Sequence, residues 1–162
     1  MTIEMTIEEL YTQLETIATN NSWDIIYTPF DNFNREYQGD FPVIIVLPFE
    51  SITPTNENTS ELDFNFDLYP VKLIFAGLAG QPTTNGIDSN AATERAVLSA
   101  QHTRAKQFLH ALQYDYENSG DWENNTISGL KYYTSHEYLS SHACIGCFVE
   151  FDYLTINTIE FC

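Results

Sequence analysis

Apolar positions recur along this chain at two different periods, and the changes between them mark out its elements. Ile7, Leu10, Leu14 and Ile17 fall at helical spacing. Thr6 with Glu9 three residues later is a capping-box pattern. The spacing predicts an amphipathic helix over Ile7–Asn20, ended by Asn20-Asn21-Ser22. Trp23 to Tyr27 reads as a short strand. Residues 41–49 place Val43-Ile-Ile-Val-Leu47 between Pro42 and Pro48. A short unbroken apolar run of this kind suits a central strand covered on both faces. Pro48 ends its ladder, because proline has no N–H to donate.

Residues 53–60 read as a Pro/Thr/Asn loop. Phe64, Phe66 and Leu68 then alternate with Asn65 and Asp67 as in a half-buried strand. Past Pro70 the phase changes, and Val71, Leu73 and Phe75 share a parity. The change predicts one long strand with a bulge or kink at Tyr69-Pro70. Residues 77–90 carry Gly77, Gly80, Pro82 and Gly86 among small polar residues, and read as a long loop or arm. A connection of that length points to an interaction role.

Asn90 caps a second helix, running from residue 91 to about 114 with a stripe of Val97, Ala100, Arg104, Phe108 and Leu112. Residues 115–126 form an acidic loop. Residues 130–138 and Cys144–Ile156 form a hairpin, with Ile145, Cys147, Val149, Phe151 and Tyr153 on one parity of the last strand. The order predicts an α+β fold: an antiparallel sheet of about four strands with two helices on one face. The length suits a single domain, residues 1–162.

Charge narrows the functional classes. Six Lys and Arg stand against 23 Asp and Glu, for a net charge of −17. Such a chain has no broad basic face for nucleic-acid phosphates, and an anionic membrane repels it. Its 43% hydrophobic and 14% aromatic content provides a core that disordered acidic chains lack. The start, Met-Thr-Ile-Glu-Met, has neither the basic residues nor the apolar run of a secretory signal. Three cysteines without such a signal read as reduced thiols in a chain made in the cytoplasm.

Candidate chemistry is sparse. His136, His142, Cys144 and Cys147 lie close in sequence, as a metal or redox site would require. Residues three apart on a strand point to opposite faces, however, so Cys144 and Cys147 diverge and Cys147 reads as a core thiol. Asp115, Glu117, Ser119, Gly120 and Glu123 match positions of a calcium loop. Thr126 stands where the bidentate glutamate belongs, so the segment reads as a solvated acidic loop. There is no nucleophile elbow and no phosphate-cradling glycine loop. No cofactor and no catalytic residue is therefore expected. Arg95, Arg104 and Lys106 lie on the long helix with His102 and His110, and Glu94 is its interior acid. A basic helix in so acidic a chain needs acidic neighbours, either within the chain or on a second copy.

Taken together, the helix Ile7–Asn20, the Pro-flanked strand 41–49, Tyr-Pro-Val-Lys-Leu-Ile-Phe at 69–75, the Gly/Asn-rich loop, the long helix with Phe108-Leu-His-Ala-Leu112 and the C-terminal hairpin resemble tail-terminator and tail-completion proteins of tailed bacteriophages. That resemblance implies a small non-enzymatic α+β subunit that forms rings, often hexamers, at the head-proximal end of the tail tube. It implies partners in the tail tube and the neck or connector, a place in the virion, and genome DNA passing without specific binding. Ring contacts between identical subunits are heterologous and close by rotation. Gly77, Gly80, Thr83, Asn85, Gly86, Arg95, Arg104 and Lys106 are the candidate oligomer-interface residues. Six copies carry about −100, which would let DNA slide past an acidic lumen. The alternatives are an acidic DNA-mimic inhibitor and an immunity-type protein binding a basic partner. The acids are scattered, whereas a mimic needs rows at phosphate spacing.

Overall fold

The computed structural model describes residues 7–29, 31–33, 37, 39–55, 66–83, 86–88, 91–118, 126–134 and 144–156. The first helix, α1 (Ile7–Asn20), buries Leu10, Leu14, Ile17 and Ala18. It has the bounds its periodicity predicts; Ile7, at the start of the stripe, is exposed. Ser22 stops it with φ of +56°. The Trp23 N–H donates to the Ala18 carbonyl at 2.8 Å and the Ser22 N–H to the Thr19 carbonyl at 3.0 Å. This is a Schellman cap with serine at the position that glycine usually takes. Thr6, the expected N-cap, lies outside the described residues.

After the cap come β1 (Asp24–Tyr27), β2 (Val43–Val46), β3 (Thr53–Thr55) and β4 (Phe66–Leu78). Then follow β5 (Gln81–Thr83), β6 (Gly86–Asp88), the long helix α2 (Ala91–Asn118), β7 (Thr126–Thr134) and β8 (Cys144–Ile156). The main sheet has the order β1-β2-β4-β8-β7, with β3 also paired to β4. The fold is α+β, as expected, but the sheet has six strands and is mixed. β1 runs parallel to β2, from Asp24 opposite Val43 to Tyr27 opposite Val46. A parallel neighbour needs a crossover. The chain between the two strands supplies it by laying Phe33 on the second face of the sheet, against Val43, Ile45, Ile74, Ala76 and Cys144. Phe33, Tyr37 and Phe41 pack there ring against ring, with centroids 5.0 to 6.3 Å apart.

The first face carries the main core. Leu10, Leu14 and Ile17 of α1 and Ala105, Phe108, Leu109 and Leu112 of α2 meet Val71, Leu73 and Phe75 of β4 and Cys147, Val149, Phe151 and Tyr153 of β8. Both helices thus lie on one face. The β8 alternation holds, with Ile145, Cys147, Val149, Phe151 and Tyr153 all buried. β2 is buried at all four positions because both faces are covered.

Two expectations in this region are corrected. β4 has no bulge at Tyr69-Pro70, since its thirteen residues pair with β8 in unbroken register from Phe66 opposite Ile156 to Leu78 opposite Cys144. The change of phase is a change of which face is apolar. Odd positions from Tyr69 to Phe75 enter the main core, while Ile74 and Ala76 enter the second. Pro70 fits because of its direction. The Leu47 N–H donates to the Lys72 carbonyl at 3.1 Å, so the backbone groups of residue 72, and of residue 70 by the two-residue repeat, face the β2/β3 side. β3 pairs residues 66–68 and β2 pairs residues 73–76, so Pro70 lies opposite the gap between them, where no N–H is required. The second correction is that residues 53–55, expected in a loop, form β3.

Candidate interaction surface

The segment expected as one arm divides between three elements. Gly77 ends up buried inside β4, beneath α2. A Cβ there would stand 2.7 Å from Gln101 Nε2 and 2.9 Å from Val97 Cγ1. The glycine is therefore a close-approach residue between helix and sheet, and not part of a loop. Gly80 sits in a bend, and Thr83 and Gly86 form the end pair of the β5–β6 hairpin. Asn85 lies outside the described residues, as does Asn90, the expected cap of α2.

The long helix is rotated relative to the expected stripe. Gln101, Ala105, Phe108, Leu109 and Leu112 are buried, while Ala100 is exposed and Arg104 half-buried. Phe108 anchors the helix, with its ring 5.6 Å from Phe75 in an edge-on pair and 6.4 Å from Trp23. Gln101 was missed because a polar residue reads as outward-facing. The signal was its spacing of four from Ala105, on the same face as Phe108 and Leu112.

Of the candidate contact residues, Gly77 and Arg104 come together. They line a groove of about 620 Å³ with Gln101, Val97 and Leu78 from the helix and β4, and Phe41 and Pro42 from the approach to β2. Burial holds the Arg104 guanidinium below its ordinary value. Arg95 and Lys106 are exposed on the same helix. Among the described residues, Arg95, Arg104 and Lys106 make no ion pair; the pair present joins Lys72 to Glu50 at 3.7 Å on the surface. Of the two alternatives for these cations, pairing with acids of the same chain is not seen among the described residues.

A second surface was not anticipated. β7 closes one side of the sheet and pairs with β8 alone among the described residues. Leu130, Tyr132 and Tyr133 are 43%, 37% and 45% exposed. Gly129, at φ of +64°, sits in a bulge between Ser128 and Lys131, where three steps of β7 face two of β8. Beyond it, Tyr132 stands edge-on to His102 of α2, with centroids 5.2 Å apart. Lys131 stands opposite Glu150, on the face of the sheet away from α2.

The cysteine reading is a matter of geometry. Cys147 lies in the main core and Cys144 in the second, on opposite faces of the sheet. Burial raises the Cys147 thiol above its ordinary value of 9.0. His136 and His142 lie outside the described residues, and no group of three or more potential metal ligands occurs among the described ones. The calcium-like segment is corrected in part, because residues 115–118 continue α2 and Thr126 begins β7; residues 119–125 lie outside the description. No described helix is long and apolar enough to cross a membrane. Comparison with protein-family models finds none that matches the chain, and comparison with curated proteins finds no match either.

Proposed function

We propose that this chain is a structural ring subunit of the tail-terminator or neck class, working by contact with copies of itself, as a hexamer, and with tail-tube and connector proteins of a virion. The observation that carries the reading is the β7 edge. It combines backbone positions left without a partner strand among the described residues with exposed Leu130, Tyr132 and Tyr133. Natural proteins protect such edges, because an open apolar strand recruits another chain. A neighbour covering this edge would hide both the backbone groups and the aromatic rings.

Charge supports the same reading. The chain has six Lys and Arg, and Arg95, Arg104, Lys106 and Lys131 lie on α2 and β7. α1 carries Glu8, Glu9 and Glu15 on exposed positions. Exposed cations of α2 on one copy complement exposed acids of α1 on the next, which suits a heterologous ring contact. The remaining acids give an assembled ring a surface that repels DNA phosphates.

Light scattering of the purified protein over rising concentration, with negative-stain imaging, tests the proposal. Rings are expected. Leu130→Asp on the exposed edge should shift the protein towards monomers while leaving its circular dichroism unchanged. A wild-type protein that stays monomeric at every concentration and binds no tail or neck protein would end the proposal.

A further inference from the structure

The main sheet ends in an edge at each side. β7 lies at one side and β1 at the other, and neither has a second neighbour among the described residues. The Thr28 N–H donates to the Val46 carbonyl at 3.1 Å, so by the two-residue repeat the backbone groups of Ile25 and Tyr27 point away from β2. The Tyr27 N–H is turned to the Tyr11 hydroxyl, so the edge offers the Ile25 groups and the Tyr27 carbonyl. β1 runs parallel to β2, while β2 and β4, β4 and β8, and β8 and β7 are antiparallel pairs, which makes β1 and β7 antiparallel to each other. Copies turned about an axis along the strands therefore bring β7 of one against β1 of the next as an antiparallel pair, with every helix on the same side of the sheet.

Each edge lies beneath a helix flank of one sign. α1 packs on β1, and α2 reaches β7. Tyr11 of α1 stands edge-on to Tyr27 at 5.0 Å, and Glu8 and Glu15, three residues before it and four after it, share its flank. Burial and then the Glu15 and Glu8 carboxylates hold the Tyr11 hydroxyl above its ordinary value, as acids on that flank would. α1 contains no Lys or Arg. On α2, His102 faces Tyr132 of β7, and exposed Lys106 and Arg95 lie one turn after it and two turns before it on the same flank. Tyr27 and Tyr132, 40% and 37% exposed, are thus corresponding rings at the two edges, both on the helix side. On the opposite face, exposed Asp24 stands at the β1 edge, two residues from Ile26 of the second core, and exposed Lys131 at the β7 edge.

We infer that the β7 edge of one copy pairs with the β1 edge of a second copy, so that one sheet runs on through the assembly with α2 of each copy beside α1 of the next. The inference rests on the ring reading above and names the element that covers β7. Charge selects this way of joining edges. Pairing β7 with β7 would set the Arg95 and Lys106 flanks against each other, and pairing β1 with β1 would oppose the Glu8 and Glu15 flanks. Pairing β7 with β1 sets Arg95 and Lys106 beside Glu8 and Glu15, and Lys131 near Asp24. These are contact distances, whereas repulsion between the net charges of whole copies is screened beyond about 8 Å in physiological salt.

Sedimentation velocity on two charge-reversed variants of the full chain tests this. Arg95→Glu with Lys106→Glu reverses the α2 flank, and Glu8→Lys with Glu15→Lys reverses the α1 flank. All four side chains are exposed in the subunit, so both variants should keep the wild-type circular dichroism when dilute. Each alone should raise the self-dissociation constant at least about tenfold. Their equimolar mixture should return to within about threefold of wild type, because reversed α2 then meets reversed α1 and the unaltered flanks meet each other. Net charge alone has another signature. The first variant is more acidic than the wild type and the second less so, and bulk repulsion would weaken the first and strengthen the second. The neutral pairs, Arg95→Gln with Lys106→Gln and Glu8→Gln with Glu15→Gln, serve where a reversal unfolds the subunit, and each should raise the constant about threefold. In a wild type that assembles, an α1-reversed variant that associates normally, a mixture that stays dissociated, or neutral pairs without effect would overturn the edge pairing and leave the ring reading standing. A wild type that never assembles would overturn both.

Discussion

Replacing Gln101 by leucine should stabilise the subunit, and the size of the gain follows from its surroundings. The side chain is 4% exposed on the inner face of α2, and Oε1 has no hydrogen-bond partner among the described residues. An unsatisfied buried polar group costs about 1–3 kcal/mol. Leucine is similar in volume, so it leaves little cavity beside Gly77. It also surrenders less rotamer freedom on burial, by about 1 kcal/mol. The expected gain is about 1–3 kcal/mol, since packing adjustment against Val97 offsets part of the total. In a domain of this length each kcal/mol moves Tm by about 2–4 °C, so Tm should rise by about 2–12 °C. Thermal unfolding followed by circular dichroism measures it, in dilute protein so that association does not add to stability. Gln101→Ala is the comparison, because it removes the same amide but opens a cavity, and it should fall below leucine by about 2 kcal/mol or more. A leucine variant that melts at or below the wild-type temperature would refute the reasoning. The amide would then be satisfied in the free subunit.

Other outcomes follow from the same structure. Gly146→Ala should cost about 3 kcal/mol or more in a chemical denaturation series, because a Cβ there runs into the Phe75 backbone carbonyl of the paired strand β4. Gly77→Ala should cost about 1 kcal/mol, since the atoms it meets are side-chain ends of Gln101 and Val97. Ser22→Gly should add about 0.5–1 kcal/mol to thermal stability by relieving the left-handed serine that caps α1. Alkaline stability should fall as pH rises past about 9–10. Burial raises Cys147 above 9.0 and Tyr11, Tyr37 and Tyr132 above 10.0, so the unfolded chain ionises first and the folded state holds the extra protons. Denaturation midpoints from pH 7 to pH 11 check this, and a flat profile would contradict it.

Local pattern was enough for the elements whose burial is one-sided and regular. α1 follows from the spacing of Leu10, Leu14 and Ile17, and β8 from its strict alternation, because in each the side-chain period equals the backbone period. The unbroken apolar run of β2 announced a strand buried on both faces for the same reason. The charge of −17 and the concentration of Lys and Arg on one helix were likewise visible in composition.

What lay beyond the linear pattern depended on which surface each residue meets. β4 looked kinked because two cores lie on opposite sides of one straight strand, and only the packed sheet separates them. The parallel pairing of β1 with β2 depends on a crossover fastened by Phe33, a contact between residues far apart in sequence. Gly77 read as a loop residue, yet the approach of α2 to β4 makes its missing side chain a packing requirement. Gln101 and Arg104 took their roles from a rotation of α2 by one position, set by how Phe108 fits between Phe75 and Trp23. Helical periodicity is broad enough to allow either stripe. The sheet beneath allowed one, and with it buried the Gln101 side chain beside Gly77 and left Arg104 half-buried on the groove wall.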